Sequence, residues 1–243
     1  MGNDHIIKSY DDELNQLETA LVQMGGLVEE QLTRALNALA RRDSSLAEEV
    51  KASDARVDAA NHDIDNRVVR LLALRQPMAI DLRFIVGAMR MSTELERMGD
   101  YSANLAKRTI ALNQCDYVEA VQVVLRMGKL VTRMIKEVLD AYTDRDAEHA
   151  RKAWMLDTEV DDIYSSLFRD ILNSMSVEPN NISSLTHLLF MAKNIERIGD
   201  HATNIAETVS FMVTGTPLLE ARPKSDTSSS AVVQPPASLS PSE

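Results

Sequence analysis

Two stretches that repeat one another decide the fold: MSTELERMGDYSANLA over residues 91–106 and MAKNIERIGDHATNIA over residues 191–206. Seven of the 16 aligned positions are identical at an offset of 100, and three more exchange one apolar residue for another. Further upstream the offset becomes 103, where SDARVD (53–58) faces LDTEVD (156–161). A chain that repeats itself in this way is built from two copies of one unit of about 100 residues.

Apolar residues recur at helical spacing through both copies, and no useful length alternates with period two, so we expect no sheet. Each copy contains three long helix-period segments. The six segments run over about 8–40, 43–75, 80–112, 117–142, 144–175 and 181–213. Asp43 is a candidate N-cap of the second segment, with Ser45 and Glu48 as a competing capping box. The sequence predicts an all-α protein of two tandem three-helix bundles, related by an internal pseudo-twofold axis.

The domain boundaries follow from the repeat and from proline usage. We expect a first bundle over residues 1–112 and a second over 113–214. The remaining stretch, 215–243, holds five of the seven prolines and is rich in serine. Because such a composition buries too little apolar surface to offset the entropy of ordering, we expect a disordered tail.

The amino-acid composition disfavours several classes of function. The chain has 26 Lys and Arg against 37 Asp and Glu, a net charge of −11, which disfavours nucleic-acid binding. The single Cys115 cannot form an intramolecular disulfide, which favours the reducing cytoplasm. We find neither a signal peptide nor an apolar run of the ~20 residues that a membrane span needs, so we expect no direct membrane insertion.

An acidic stripe follows the third helix of the first copy. At ~100° per residue, Glu96, Asp100 and Asn104 lie side by side, about 180° from the midline of the apolar stripe. Glu196, Asp200 and Asn204 are predicted to repeat the arrangement in the second copy. The wheel therefore predicts carboxylates on an outer face of each bundle and not in the core.

The second helix of each copy adds a further carboxylate pair at spacing four. These pairs are Asp54 with Asp58 and Asp157 with Asp161. Because like charges at this spacing repel, their repetition at matching places indicates that a cation binds between them. Carboxylate and amide oxygens suit magnesium, manganese or calcium, with iron or zinc also possible.

Other interpretations of these residues stay open. An acidic stripe is also typical of a solvated helix face in an acidic protein. His201, next to Asp200, is a weaker candidate ligand because the first copy has Tyr101 at that place. Gly99 and Gly199 interrupt helices, and close helix packing is the favoured reason. We find no phosphate-binding loop, nucleophile elbow or zinc-ligand cysteine set, so we expect no enzyme.

The run LLALRQPMAIDLRFIVGAMRMSTELERMGDYSANLA (71–106) resembles the PhoU family of phosphate-system regulators, and MAKNIERIGDHATNIAE (191–207) matches the same signature. The resemblance covers roughly residues 5–214. It implies a cytoplasmic, usually dimeric protein of two three-helix bundles, with metal sites at its E(D)xxxD motifs. In this chain the motifs and their supporting residues are Glu96, Asp100, Glu196, Asp200, Asp54, Asp58, Asp157 and Asp161, followed by Asn104 and Asn204.

The resemblance also implies a role. Family members restrain the phosphate-starvation response by linking the ATPase subunit of the phosphate ABC transporter to a membrane sensor histidine kinase. Two alternatives come from other classes of protein. One is a metal-dependent enzyme acting on phosphate compounds, which needs an open coordination site and turnover. The other is a metal-storing structural helical protein with no dependence on phosphate supply.

Overall fold

The structure is a computed structural model that describes residues 2–218 together with Asp226 and Ser228, with side chains from Ser9 onward. Every regular element in this part of the chain is helical. The predicted tail, 215–243, lies mostly outside the described residues, so its expected disorder stays a prediction.

The first half of the chain forms three helices that pack on one another: α1 (Gly2–Arg41), α2 (Ser44–Arg75) and α3 (Ala79–Leu112). Asp43 is the N-cap of α2, and its side chain accepts a hydrogen bond from the Leu46 N–H at 2.9 Å. This bond satisfies one of the donors that the first turn of a helix leaves free. The predicted cap is therefore confirmed.

The second half repeats this arrangement with one interruption. Its helices are α4 (Val121–Asp144), α5 (Ala147–Met155), α6 (Asp157–Val177) and α7 (Ile182–Thr214). A short 3₁₀-helix, Pro179–Asn181, leads into α7. The predicted all-α class with two tandem three-helix bundles is confirmed, with α5 and α6 together taking the place of one long helix.

The interruption lies at Leu156, inside the segment predicted as continuous over 144–175. The Leu156 N–H bonds to the Ala153 carbonyl, and the Glu159 N–H bonds to the Leu156 carbonyl, both at 3.1 Å. These bonds span three residues instead of four, which tightens the turn and changes the course of the helix. Trp154, just before the break, is buried as expected. The break makes Asp157 the first residue of α6.

The two halves meet where α1 packs on α4 and α3 packs on α7. A β-carbon on Gly25 would lie 2.6 Å from a δ-carbon of Leu139. At the same place in the other copy, a β-carbon on Gly128 would overlap Leu36. Since both pairs are related by the offset of 103, the junction obeys the predicted pseudo-twofold relation. Each glycine lets a leucine of the opposite half lie directly against its helix.

Leucine, valine, isoleucine and methionine fill the core. The buried methionines are Met24, Met91, Met98, Met127, Met134, Met191 and Met212. The interpretation of the methionine positions as core is therefore confirmed for these seven residues. Within the described ranges, no helix combines the length and the hydropathy that a membrane crossing requires.

Candidate functional site

Helices α2 and α3 bring four carboxylates of the first half together. Gly99 of α3 makes this possible, because a β-carbon there would lie 3.1 Å from Val57 Cγ1 and 3.5 Å from Asp54 Oδ1. A side chain at position 99 would thus crowd α2 away. Close packing is the reason for this glycine, as expected, and its consequence is that the α2 carboxylates approach those of α3.

The electrostatics show that these carboxylates act on one another. Burial raises the pKa of Glu96, and the negative charges of Asp100, Asp58 and Asp54 raise it further against the influence of Arg97. Burial also raises the pKa of Asp54, helped by Asp100 and Asp58. The two pairs therefore form one cluster of negative charge, which we call the first-half cluster (Asp54, Asp58, Glu96 and Asp100).

The first-half cluster faces solvent. The Glu96 side chain is 23% exposed and that of Asp100 is 40% exposed. Arg97 lies on the solvent side, 3.5 Å from Glu96 and 3.4 Å from Asp100. In this half the expected outer acidic face is present. The Arg97 guanidinium balances the charge of these two neighbouring carboxylates.

The second-half cluster consists of the corresponding residues, Asp157, Asp161, Glu196 and Asp200, and it is largely covered. Asp157 and Asp161 are each 2% exposed and Glu196 is 4% exposed. The prediction that the carboxylates of the motif helix lie on an outer face is therefore wrong for Glu196. The wheel of a single helix cannot show which flank a neighbouring helix covers, and here α6 packs against α7.

Gly199 has the same function in the second half as Gly99 in the first. A β-carbon at position 199 would lie 3.2 Å from Asp157 Oδ1, tighter than an ordinary van der Waals contact. Asp157 begins α6 at the Leu156 break, so the break and the glycine together place a carboxylate against the middle of α7.

A lysine enters the second-half cluster. Lys193 Nζ lies 2.8 Å from Glu196 Oε1, while Glu196 Oε2 is buried with no hydrogen-bond partner among the described atoms. Burial raises the pKa of Glu196 despite the hydrogen bond from Lys193, and Asp200 raises it further. The sequence analysis missed Lys193, although its position three residues before Glu196 is the spacing of an ion pair along a helix.

The two asparagines that follow the motifs have other partners. Asn204 Nδ2 donates to Glu94 Oε2 at 3.0 Å, and His201 Nδ1 lies 2.5 Å from the same oxygen. Asn104 Oδ1 accepts from Lys107 Nζ at 3.4 Å. The contacts of Asn204 and His201 link α7 to α3 across the junction of the halves. Burial disfavours ionisation of Glu94, but these hydrogen bonds outweigh it and lower its pKa.

No three His, Cys, Asp or Glu side chains stand close enough to hold a metal ion without rearrangement, as far as the structure describes the chain. The first-half cluster nevertheless offers the oxygen donors that hard cations prefer, and its Glu96 and Asp100 side chains are partly exposed to solvent. The second-half cluster has the same donor types, but its Glu196 already binds the ammonium group of Lys193. The residues fit a divalent cation better in the first half than in the second.

Two pseudo-symmetric three-helix bundles, each with a carboxylate cluster between its second and third helices, define a duplicated helical regulator fold of the PhoU type. The PhoU domain model matches residues 21–109 and 124–209. The chain belongs to the PhoU family, and the resemblance noted in the sequence is confirmed. The family is one of regulatory accessory proteins and not of known enzymes.

Named relatives and solved structures agree with this assignment. A protein of Caulobacter vibrioides named phosphate-specific transport system accessory protein PhoU homolog is 47% identical over 224 residues, 92% of this chain and 97% of its own length. The homolog of Xylella fastidiosa is 44% identical over 93% of this chain and 96% of its own length.

The same fold is found in two crystal structures. PhoU from Pseudomonas aeruginosa matches with a TM-score of 0.83 at 38% identity, over 85% of this chain and all of that one. The phosphate transport system regulatory protein PhoU from Streptococcus pneumoniae matches with a TM-score of 0.81 at 32% identity, over 86% of this chain and 99% of that one.

Proposed function

We propose that the protein is a cytoplasmic adaptor that restrains phosphate-starvation signalling and modulates phosphate uptake. It would do so by contact with two partners, the ATPase subunit of the phosphate ABC transporter and the sensor histidine kinase of the phosphate regulon. The observation that carries this proposal is the 47% identity, over 92% of the chain, to a relative named as a phosphate-specific transport accessory protein.

The duplicated architecture suits an adaptor. Two similar bundles offer two similar surfaces, so one molecule can bind two partners at once. An adaptor transmits a signal only if its affinity differs between the states of its partners. Moving a partner from mostly on to mostly off takes only a few kcal/mol of differential binding, which one modest interface supplies. Two copies of the chain forming a homodimer, which light scattering would detect, would double these surfaces.

Deletion of the gene tests the adaptor role. We expect a deletion strain to express phosphate-scavenging functions in phosphate-rich medium, because the restraint on the kinase is gone. That expression should require both the kinase and the transporter ATPase, which double deletions check. Normal repression in the deletion strain would contradict the proposal. The metal-dependent enzyme would then come first, and a screen against small phosphate esters would follow.

We propose further that the carboxylate clusters bind divalent cations such as magnesium, manganese, iron or zinc. The support is that the charges of Asp58 and Asp100 raise the pKa of Asp54 and, together with Asp54, that of Glu96, so a cation among these carboxylates would relieve their repulsion. A bound divalent ion would supply positive charge at the protein surface. The four carboxylates would position the ion. Arg97, which contacts Glu96 and Asp100, would have to move aside.

Metal analysis of protein purified without chelator tests the cation sites. E96Q/D100N should lower the metal bound at the first half, and E196Q/D200N should lower that at the second. Both variants should keep the helical circular dichroism of the wild type, because Gln and Asn preserve side-chain volume. Absence of any divalent ion above background in the wild type would overturn this part of the proposal. Metal content independent of phosphate supply and partners would favour the storage alternative.

A further inference from the structure

The two clusters differ in the residue three positions before the motif glutamate. In the second half this residue is Lys193, whereas the corresponding residue of the first half is Thr93. Thr93 is exposed, and its hydroxyl donates to the Met89 carbonyl of its own helix at 3.1 Å. The first-half cluster therefore has no cation on this side, and the second-half cluster contains one of its own.

Lys193 lies between two carboxylates and over a ring. Its Nζ is 2.8 Å from Glu196 Oε1, 3.4 Å from Asp226 Oδ2 and 4.9 Å from the centroid of the Tyr164 ring. The ammonium group marks the place where this part of the protein attracts positive charge. Both carboxylates contact the same ammonium group, Glu196 from α7 and Asp226 from the segment that follows α7 in the sequence.

Asp226 belongs to the segment that follows the two bundles. Its side chain is 20% exposed and accepts hydrogen bonds from the Ser228 N–H at 2.8 Å and from Ser165 Oγ at 3.5 Å. Ser228 in turn hydrogen-bonds with Tyr164 of α6. These contacts place Asp226 and Ser228 on the outer side of the second-half cluster.

The length of the chain allows this contact. Lys193 lies 21 residues before the end of α7 at Thr214, about 31 Å along the helix axis. The 12 residues from Thr214 to Asp226 span at most about 43 Å. The chain is therefore long enough for Asp226 to contact Lys193.

One carboxylate oxygen of Glu196, in the second-half cluster, accepts no hydrogen bond from the described atoms. Glu196 Oε2 is buried and has no hydrogen-bond partner among the described atoms, although the other oxygen of the same carboxylate holds Lys193. Burying a carboxylate oxygen without a hydrogen-bond partner lowers the free energy of unfolding, because the oxygen loses its hydration. A ligand that took both oxygens of Glu196 would remove that cost, and a divalent cation is such a ligand.

We propose that Asp226 completes the second-half cluster as a carboxylate donor from the C-terminal segment, and that Lys193 is a built-in cation which a divalent ion must displace. The inference rests on the proposed cation binding and deepens it. The two halves then take up divalent ions unequally. At the first half only the exposed Arg97 side chain has to move aside, whereas at the second half Lys193 has to leave both Glu196 and Asp226. An ion at the Nζ position would draw Glu196 and Asp226 together, since cation–oxygen distances of about 2.0–2.6 Å are shorter than the present contacts.

Manganese titration by calorimetry tests the proposal in the full chain, with E96Q/D100N present throughout so that only the second half reports. In this background K193M should tighten manganese binding at least about tenfold, because a competing positive charge is gone. Adding D226N to K193M should remove most of that gain, because a donor is lost. K193Q, which keeps a polar side chain, should show the same gain if K193M proves unstable.

Thr93 provides the matched control. T93M, in a chain carrying E196Q/D200N, should leave manganese binding at the first half unchanged, because Thr93 is no competitor. Folded K193M and K193Q variants without any gain would overturn the role of Lys193, and a gain that survives D226N would overturn that of Asp226. A wild type that binds no manganese, together with a gain in K193M, would contradict the proposed cation binding but support this inference.

Discussion

At the scale of single residues, equivalent glutamates of the two copies have different environments. The Glu96 side chain is 23% exposed and that of Glu196 is 5% exposed, although both stand in the same ERxGD motif. Glu96 is flanked on the solvent side by Arg97, whereas Glu196 binds Lys193. The motif therefore determines that a carboxylate is present at this position, whereas the surrounding side chains determine how exposed that carboxylate is to cations in solution.

The charge of Glu96 should cost stability at neutral pH. Because burial and neighbouring aspartates raise its pKa above the ordinary value of 4.5, the folded state holds the proton more tightly than the unfolded state. The cost is absent well below that ordinary value, appears as the pH rises through the raised pKa, and is complete above it. E96Q should thus be more stable than the wild type at pH ~7 by a few tenths of a kcal/mol, typical of like-charge repulsion on a helix.

Urea unfolding at neutral pH and again well below 4.5 would measure this difference. The advantage of E96Q should vanish in acid, where the wild-type carboxyl is protonated as well. E30Q, at an exposed glutamate on α1, is the control for the general effect of removing one negative charge. A less stable E96Q at neutral pH would mean that the ion pair with Arg97 outweighs the repulsion.

At the scale of helices, glycine positions determine how closely the elements approach. Gly99 and Gly199 admit α2 and α6 to the motif helices, which brings the carboxylates together. Gly25 and Gly128 admit leucines across the junction between the halves. In each case glycine lowers the intrinsic helix propensity at its position. Because it has no β-carbon, the helix can contact its neighbour closely.

Gly25 and its neighbour Gly26 form a matched pair for testing this. A β-carbon at position 25 would lie 2.6 Å from a Leu139 δ-carbon, whereas one at position 26 would meet nothing within 4 Å. G26A should therefore raise stability by up to about 1 kcal/mol through helix propensity. G25A should be less stable than G26A by about 1–3 kcal/mol, because the buried Leu139 must move.

Chemical denaturation of the two variants gives this comparison directly. In a chain that already carries L139A, the cost of G25A should shrink, since the obstructing atoms are gone. Equal stabilities of G25A and G26A would show that α1 and α4 do not approach as closely as described.

At the scale of the whole molecule, the halves are joined by packing and by polar contacts. Besides the glycine–leucine pairs, the Tyr101 ring stacks on the His201 ring at a centroid distance of 5.6 Å, next to the bond between His201 and Glu94. After α7, Leu218 packs against the core, and Asp226 and Ser228 add polar contacts. From residue 219 onward, the described contacts with the bundles are therefore polar.

Removing residues 219–243 should leave the melting temperature within about 2 °C of the wild type. The strongest described contact of this part is an ion pair of partly exposed side chains, 33% for Lys193 and 20% for Asp226, worth at most about 1 kcal/mol; Asp226 and Ser228 add hydrogen bonds with Ser165 and Tyr164. For a chain of this size that corresponds to a shift of about 2–4 °C at the upper limit. Differential scanning calorimetry of the truncated chain, with D226N as the control for the ion pair alone, would check it. A drop of about ten degrees would show that the segment packs on a bundle.

The sequence predicted the regular elements well because helix periodicity, capping and proline positions are local signals. Asp43 caps α2 as expected, and the repeat predicted the paired bundles. The Leu156 break was not predicted, since residues 144–175 keep helical periodicity on both sides of it. The identity of the candidate carboxylates also came from the sequence, while their role as metal ligands stays a proposal.

By itself the sequence determined that the chain is all helical, that its two halves repeat one another, and which carboxylates recur in both. Only the tertiary structure decided that Glu196, Asp157 and Asp161 are buried, that Asn204 turns toward Glu94, and that Asp226 reaches Lys193. The physical reason is the range of the interactions. Helix formation depends on residues a few positions apart, whereas burial, ion pairing and pKa depend on side chains that come together only when distant helices pack.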